Sequence, residues 1–68
     1  MAYNFGKVLS DLRTEKGITQ FELAKTLNVA NTTISSWERN NSEPNFEQLR
    51  KIAKHFNVSA GFLLELEN

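Results

Sequence analysis

Apolar side chains recur along this chain at intervals of three and four residues, the spacing that places them on one face of an α-helix. Two stretches carry the pattern most clearly: Phe5, Val8, Leu9 and Leu12 near the start, and Leu49, Ile52, Ala53 and Phe56 in the second half. No stretch alternates apolar and polar residues in the manner of a half-buried β-strand. The pattern therefore predicts an all-α chain.

Residues that favour helix ends divide the chain into five predicted helices. Helix 1 has Asn4 as its N-cap and ends at Gly17, because glycine adopts the left-handed backbone of a helix end without strain. The later starts are marked by a capping box of Thr19 with Glu22, a second box of Asn45 with Gln48, and Ser59 before a short fifth helix. Short connections between such helices are typical of one compact bundle.

The third predicted helix runs from about residue 31 to residue 39, with Ile34 and Trp37 on its inward face. Asn40 can end this helix, since asparagine tolerates a positive φ. Ala30 stands where a serine or threonine would be a better cap. The start of this helix is therefore less well specified than its end.

The outward face of helix 3 carries small uncharged polar groups: Asn31, Thr32, Ser35 and Ser36. No charged residue lies between Thr26 and Trp37. A helix surface with hydrogen-bonding groups and no ion-pair partners matches the edges of DNA bases in a major groove. We therefore predict that the chain reads a DNA sequence.

Length and composition restrict the other functions. Its 68 residues allow one small domain, which we take as residues 1–68 with a core of about 4–66. The absence of cysteine excludes a disulfide or a thiolate zinc site, and the single histidine, His55, is predicted to be a partly exposed helix residue. Without a nucleophile–base pair or a phosphate-binding glycine loop, we predict no enzyme and no cofactor or metal.

The sequence also bears on location. The longest apolar run, at residues 62–64, is far too short to cross a membrane, and the first residues lack a secretory signal. We therefore expect a cytoplasmic protein.

The formal net charge is zero, whereas many DNA-binding domains are strongly basic. Few Lys or Arg side chains are then available to neutralise phosphates, so a single copy should bind DNA weakly. Useful affinity would need two copies on one site.

The order and spacing of several short motifs resembles the phage-repressor and Cro-like (XRE-type) helix-turn-helix family. The matching residues are Lys16-Gly17-Ile18-Thr19-Gln20, Leu23-Ala24, Leu27-Asn28-Val29, Thr33-Ile34-Ser35, Trp37-Glu38-Arg39 and Ile52-Ala53. The resemblance implies a compact five-helix, lambda-repressor-like domain with helices 2 and 3 as the motif. It also implies a repressor that binds a pseudo-palindromic operator as a homodimer, with helix 3 in the major groove.

The resemblance assigns roles residue by residue. Base contacts fall to Asn31, Thr32, Ser35 and Ser36, and phosphate contacts to Thr19, Gln20, Thr33, Arg39, Asn40 and Asn41. Arg13 and Glu38 match a structural ion pair, and Phe62 and Leu66 lie where the family forms its dimer contact. Because helix 3 has no Arg or Lys to bind guanine, contacts of asparagine with adenine and of threonine with thymine methyls predict an A/T-biased half-site.

Two alternatives remain open at this stage. The chain could be the N-terminal DNA-binding domain of a longer regulator. It could also be a protein-interaction module, such as an antitoxin or anti-repressor, on the same fold. No small-molecule partner is indicated by the sequence.

Overall fold

The computed structural model describes residues 4–63, which form five α-helices and no strand. The helices are α1 (Phe5–Glu15), α2 (Gln20–Leu27), α3 (Asn31–Glu38), α4 (Phe46–Phe56) and α5 (Ala60–Leu63). The predicted all-α class and the order of five helices are confirmed. Helix α3 ends at Glu38, one residue before the predicted end, because Arg39 has already left helical geometry as its C-cap.

Reciprocal capping boxes start α2 and α4 as the sequence predicts. The Glu22 N–H donates to Thr19 Oγ1 at 3.0 Å, and the Thr19 N–H donates back to Glu22 Oε1 at 2.8 Å. Asn45 and Gln48 exchange the same two bonds, both at 2.8 Å. Each box satisfies two backbone groups that a helix start would otherwise leave without partners.

Asparagine in the left-handed region ends three of the helices. Asn28, Asn40 and Asn57 have φ values of 60°, 60° and 56° and follow α2, α3 and α4. Gly17 does the same after α1 with φ 70°. The three asparagines adopt the left-handed conformation because their short polar side chains tolerate it better than most.

At the start of α3, the methyl side chain of Ala30 cannot accept a hydrogen bond, so this helix has no side-chain N-cap.

The core lies between the inward faces of all five helices. Its buried apolar residues are Phe5, Leu9, Leu23, Ala24, Leu27, Ile34, Trp37, Leu49, Ile52, Ala53, Phe56 and Leu63. Helix α3 contributes Ile34 and Trp37, both at most 2% exposed, and packs mainly against α2 and α1. The packing of α3 through Ile34 and Trp37 therefore determines which of its residues face outward.

Helix α1 approaches the end of α3 unusually closely at Gly6. A Cβ atom at this position would lie 2.8 Å from the Trp37 carbonyl oxygen and still closer to the Glu38 carbonyl oxygen. Real Cβ atoms do not approach backbone oxygens to these distances, so only glycine fits here. The first turn of α1 thus lies directly against the backbone of α3.

His55 on α4 is half-buried, and its Nε2 atom is enclosed without a hydrogen-bond partner among residues 4–63. Its ring packs edge-on against Phe56, and the ammonium of Lys16 donates to the His55 carbonyl oxygen at 3.2 Å. Burial, and secondly the positive charge of Lys16, lower the pKa of His55 below its ordinary value near 6.5. The folded protein therefore favours the neutral imidazole.

This lowered pKa predicts a loss of stability in mild acid. Because the unfolded chain binds the proton more tightly, the free energy of unfolding should be highest above pH 6.5 and fall as the pH drops toward the folded-state pKa. We expect His55→Gln to remove this part of the pH dependence. Urea unfolding of both proteins at pH 7.5 and pH 5.5 measures it, and an equal fall in the variant would contradict the prediction.

Candidate nucleic-acid interface

Helices α2 and α3 are joined by a three-residue turn, residues 28–30. Asn28 reverses the chain in the left-handed conformation, and the Val29 N–H donates to the Ala24 carbonyl oxygen at 3.0 Å. Connections of this length are those of a helix-turn-helix unit. The unit fixes α3 on the surface with its inward residues in the core.

The exposed face of α3 begins with Asn31 and Thr32, which are both exposed. Thr33, Ser35 and Ser36 are half-buried and continue the same uncharged surface. The side chains of Asn31 and Thr32 make no hydrogen bond within residues 4–63, so their donors and acceptors are available to a ligand. The structure thus places together the four residues that the sequence assigned to base contacts.

Ser36 has a partner that the sequence analysis missed. Its hydroxyl oxygen lies 2.7 Å from that of Ser42, which belongs to the loop after α3. No sequence pattern indicates this contact, because it depends on how the loop folds back over the helix. Ser42 therefore joins the candidate site.

Arg13 and Glu38 form the ion pair that the family resemblance implied. The Arg13 Nε donates to Glu38 Oε2 at 2.7 Å, and its Nη2 donates to Oε1 at 3.3 Å. The side chains are only 15% and 7% exposed. A third guanidinium bond, from Nη1 to the Ile18 carbonyl oxygen at 2.7 Å, ties α1 and α3 to the segment before α2.

Gln20 extends this pair toward the start of α2. Its Nε2 donates to Glu38 Oε1 at 2.9 Å, which leaves one amide hydrogen for another acceptor. Thr19 beside it uses its hydroxyl oxygen to cap α2 and keeps the hydroxyl hydrogen as a donor. The start of α2 thus presents donors where the helix dipole favours an anion.

Asn40, which the resemblance assigned to a phosphate contact, also has a structural role. Its Oδ1 accepts the Gly6 N–H at 2.9 Å, and its Nδ2 donates to Asn4 Oδ1 at 2.9 Å. The Asn40 N–H donates to the Trp37 carbonyl oxygen, and the Asn41 N–H donates to the Ser36 carbonyl oxygen. These bonds engage both backbone donors and one hydrogen of the Asn40 amide, and they leave the second amide hydrogen of Asn40 for another acceptor. Arg39, Asn40 and Asn41 are all exposed.

Among residues 4–63, three large apolar side chains outside α3 are exposed. Phe46 is 84% exposed and Phe21 is 66% exposed. Phe62 is 41% exposed and lines a shallow cavity of about 220 Å³ between α1 and α5, together with Val8, Asp11, Leu12 and Glu15. Of the two residues expected at a dimer contact, Phe62 is therefore accessible, and Leu66 lies outside the described residues.

Positive charge is concentrated on α4 and is absent from α3. The outer face of α4 carries Arg50, Lys51 and Lys54 beside Glu47. Arg39, the C-cap of α3, is the positively charged residue that directly follows this helix in the sequence. The described part of the chain contains no cluster of acidic, histidine or cysteine residues that could hold a metal, and none of its helices is long and apolar enough to cross a membrane.

The model of the helix-turn-helix family HTH_3 matches residues 9–63. The chain is 44% identical over 63 residues to the HTH-type transcriptional activator BcrR of Enterococcus faecalis, with 93% of this chain and 31% of that protein covered. It is 38% identical over 61 residues to the HTH-type transcriptional regulator ImmR of Bacillus subtilis, with 90% and 48% covered. The chain thus spans less than half the length of either relative.

A similar solved structure is the c2 repressor of phage P22 in complex with a synthetic operator. It superposes with a TM-score of 0.89 at 33% identity and covers 97% of this chain and 100% of that one. This similarity confirms the predicted lambda-repressor-like fold. The similar proteins are transcriptional regulators and not enzymes.

Proposed function

Because the chain belongs to the helix-turn-helix family, we propose that it is a transcriptional regulator that binds double-stranded DNA in a sequence-specific manner, with α3 in the major groove. The observation that carries this proposal is the uncharged, hydrogen-bonding face of α3. The fold fixes that face on the surface by burying Ile34 and Trp37. The P22 repressor, which has the same architecture, is bound to an operator in its structure.

Bases are read by Asn31, Thr32, Ser35 and Ser36. The amide of Asn31 can donate to and accept from adenine, and the methyl group of Thr32 can pack on a thymine methyl. Both side chains lack partners within the described residues, which supports their availability to DNA. An A/T-biased half-site follows from this chemistry.

Phosphates are held by groups at both ends of the motif. Thr19 and Gln20 offer donors at the start of α2, and Arg39 and Asn41 offer side chains after α3. The remaining candidates are Thr33, on the first turn of α3, and Asn40, through its second amide hydrogen. Such contacts set the position of the protein on the duplex and carry no sequence information directly.

The regulator acts as a homodimer and a repressor on a pseudo-palindromic operator. A net charge of zero supports this assembly, because one copy has few cations with which to hold the phosphates. The exposed ring of Phe62, beside the shallow cavity between α1 and α5, offers an apolar surface to a second copy. Two copies related by a two-fold axis would place their α3 helices one helical turn of DNA apart.

Selection of bound duplexes from a random DNA library tests the proposal. We expect a symmetric motif with half-sites about one helical turn apart. We expect Asn31→Ala to lose about tenfold of the preference at one position in each half-site, because an asparagine–adenine pair is removed. Enrichment of a single unpaired half-site would contradict the dimer. If no sequence is enriched even at low salt, DNA binding is contradicted and the partner is expected to be a protein.

The salt dependence of binding tests the phosphate contact at Arg39. Loss of one contact should reduce the slope of log affinity against log salt by about 1, so Arg39→Ala should weaken all sequences by a similar factor. Arg50→Ala is the matched control, since it removes the same charge from the outer face of α4. A sequence-selective loss in Arg39→Ala, or the same change of slope in both variants, would contradict this role.

A further inference from the structure

The loop after α3 folds back over the last turn of that helix. Asn40 turns the chain with a φ of 60°, and the Asn41 N–H donates to the Ser36 carbonyl oxygen at 2.9 Å. The next residue, Ser42, then places its hydroxyl 2.7 Å from the hydroxyl of Ser36. A residue outside the helix-turn-helix unit thus contacts a side chain on the reading face.

We propose that Ser42 is a positioning residue that determines the base preference of Ser36. This inference rests on the proposed function, in which Ser36 reads a base. A serine hydroxyl rotates freely and can donate one hydrogen bond while accepting others. Alone, Ser36 could therefore satisfy either a donor or an acceptor on a base edge and would discriminate poorly.

The bond to Ser42 narrows these options. If Ser36 donates to Ser42, only acceptor capacity is left for DNA, which suits the amino group of adenine or cytosine. If Ser42 donates instead, Ser36 keeps its hydrogen for an acceptor such as guanine O6 or thymine O4, together with one lone pair. In both arrangements the bond occupies one hydrogen-bonding position of Ser36 and restricts the rotation of its hydroxyl.

The loop that carries Ser42 is attached to α1 through Asn40. Asn40, two residues earlier, is bonded to the Gly6 N–H and to the Asn4 side chain, both at 2.9 Å. These bonds anchor the loop to α1. Ser42 is itself exposed, so its loss should leave the core unchanged.

The test measures affinity for the preferred duplex and for every single base-pair change in one half-site. We expect Ser36→Ala and Ser42→Ala to lose discrimination at the same base-pair position, by about three- to tenfold for one neutral hydrogen bond. The double variant should lose no more than Ser36→Ala alone, since Ser42 acts through Ser36. Ser42→Thr, which keeps the hydroxyl, should restore the preference.

The matched control is Ser10→Ala, which deletes a serine hydroxyl from α1 and should leave every preference unchanged. Losses at different positions, additive losses, or an equal weakening of all sequences by Ser42→Ala would each overturn the inference. If the wild-type protein prefers no duplex, the proposed function itself is contradicted. If the wild-type protein has a preferred duplex and Ser42→Ala keeps the same preference, only the role of Ser42 is contradicted.

Discussion

Arg13→Ala is expected to lower the free energy of unfolding by about 3–5 kcal/mol, because it strands the carboxylate of Glu38 in a site where that side chain is only 7% exposed. Within the described part of the chain, Gln20 would then be the remaining side-chain donor to Glu38, through the 2.9 Å bond from its Nε2. The carbonyl oxygen of Ile18 would lose its guanidinium donor as well. For a small domain this loss is a large fraction of the total stability, which is commonly about 5–15 kcal/mol.

Urea unfolding monitored by the fluorescence of Trp37 measures this effect. The control is Lys7→Ala, which breaks the surface pair of Lys7 with Asp11, whose side chains are 69% and 62% exposed. An exposed i, i+4 pair contributes only about 0.3–0.5 kcal/mol. A similar small loss in both variants would mean that the Arg13–Glu38 pair is no more important than a surface contact. Replacing both partners together with apolar residues should recover much of the stability, since no charge is then stranded.

Gly6→Ala is expected to lower the free energy of unfolding by about 3 kcal/mol, at the upper end of the usual range for overpacking. The added Cβ would meet the carbonyl oxygens of Trp37 and Glu38, which belong to a helix backbone and have little freedom to move. In an exposed helix the same change would stabilise by about 1 kcal/mol, because alanine is the better helix former. The sign of the effect therefore separates close packing from helix propensity.

Gly17→Ala is the matched control for Gly6→Ala. A Cβ at Gly17 would meet nothing within 4 Å, so only the φ of 70° opposes alanine there. That backbone strain is about 1–2 kcal/mol. Thermal unfolding of both variants would measure the two effects, and a neutral or stabilising Gly6→Ala would contradict the close approach of α1 to α3.

Sequence reasoning predicted the features that depend on neighbours along the chain. A capping box joins residues three apart, so Thr19 with Glu22 and Asn45 with Gln48 could be read directly. The inward position of Trp37 likewise follows from helical spacing. These features are local, and the structure reproduces them.

Features that depend on the path of the chain through space were not predictable in this way. The positive φ of Asn40 was predicted from its residue type, but the use of its side chain to bind Gly6, 34 residues earlier, was not. The contact between Ser36 and Ser42 required the same knowledge of the loop. The Arg13–Glu38 pair was expected from family resemblance alone, since two charges 25 residues apart carry no periodic pattern.

The bonds of Asn40 also bear on how the domain folds. An isolated helix of 11 residues such as α1 has only marginal stability in water. In addition, the Gly6 N–H in its first turn can donate to Asn40 Oδ1 only after residue 40 has packed against α1. Closing that long loop costs chain entropy before its contacts are gained. Helix α1 and the end of α3 should therefore become structured in one kinetic step, so that the chain acquires its reading surface together with its first helix and not before it.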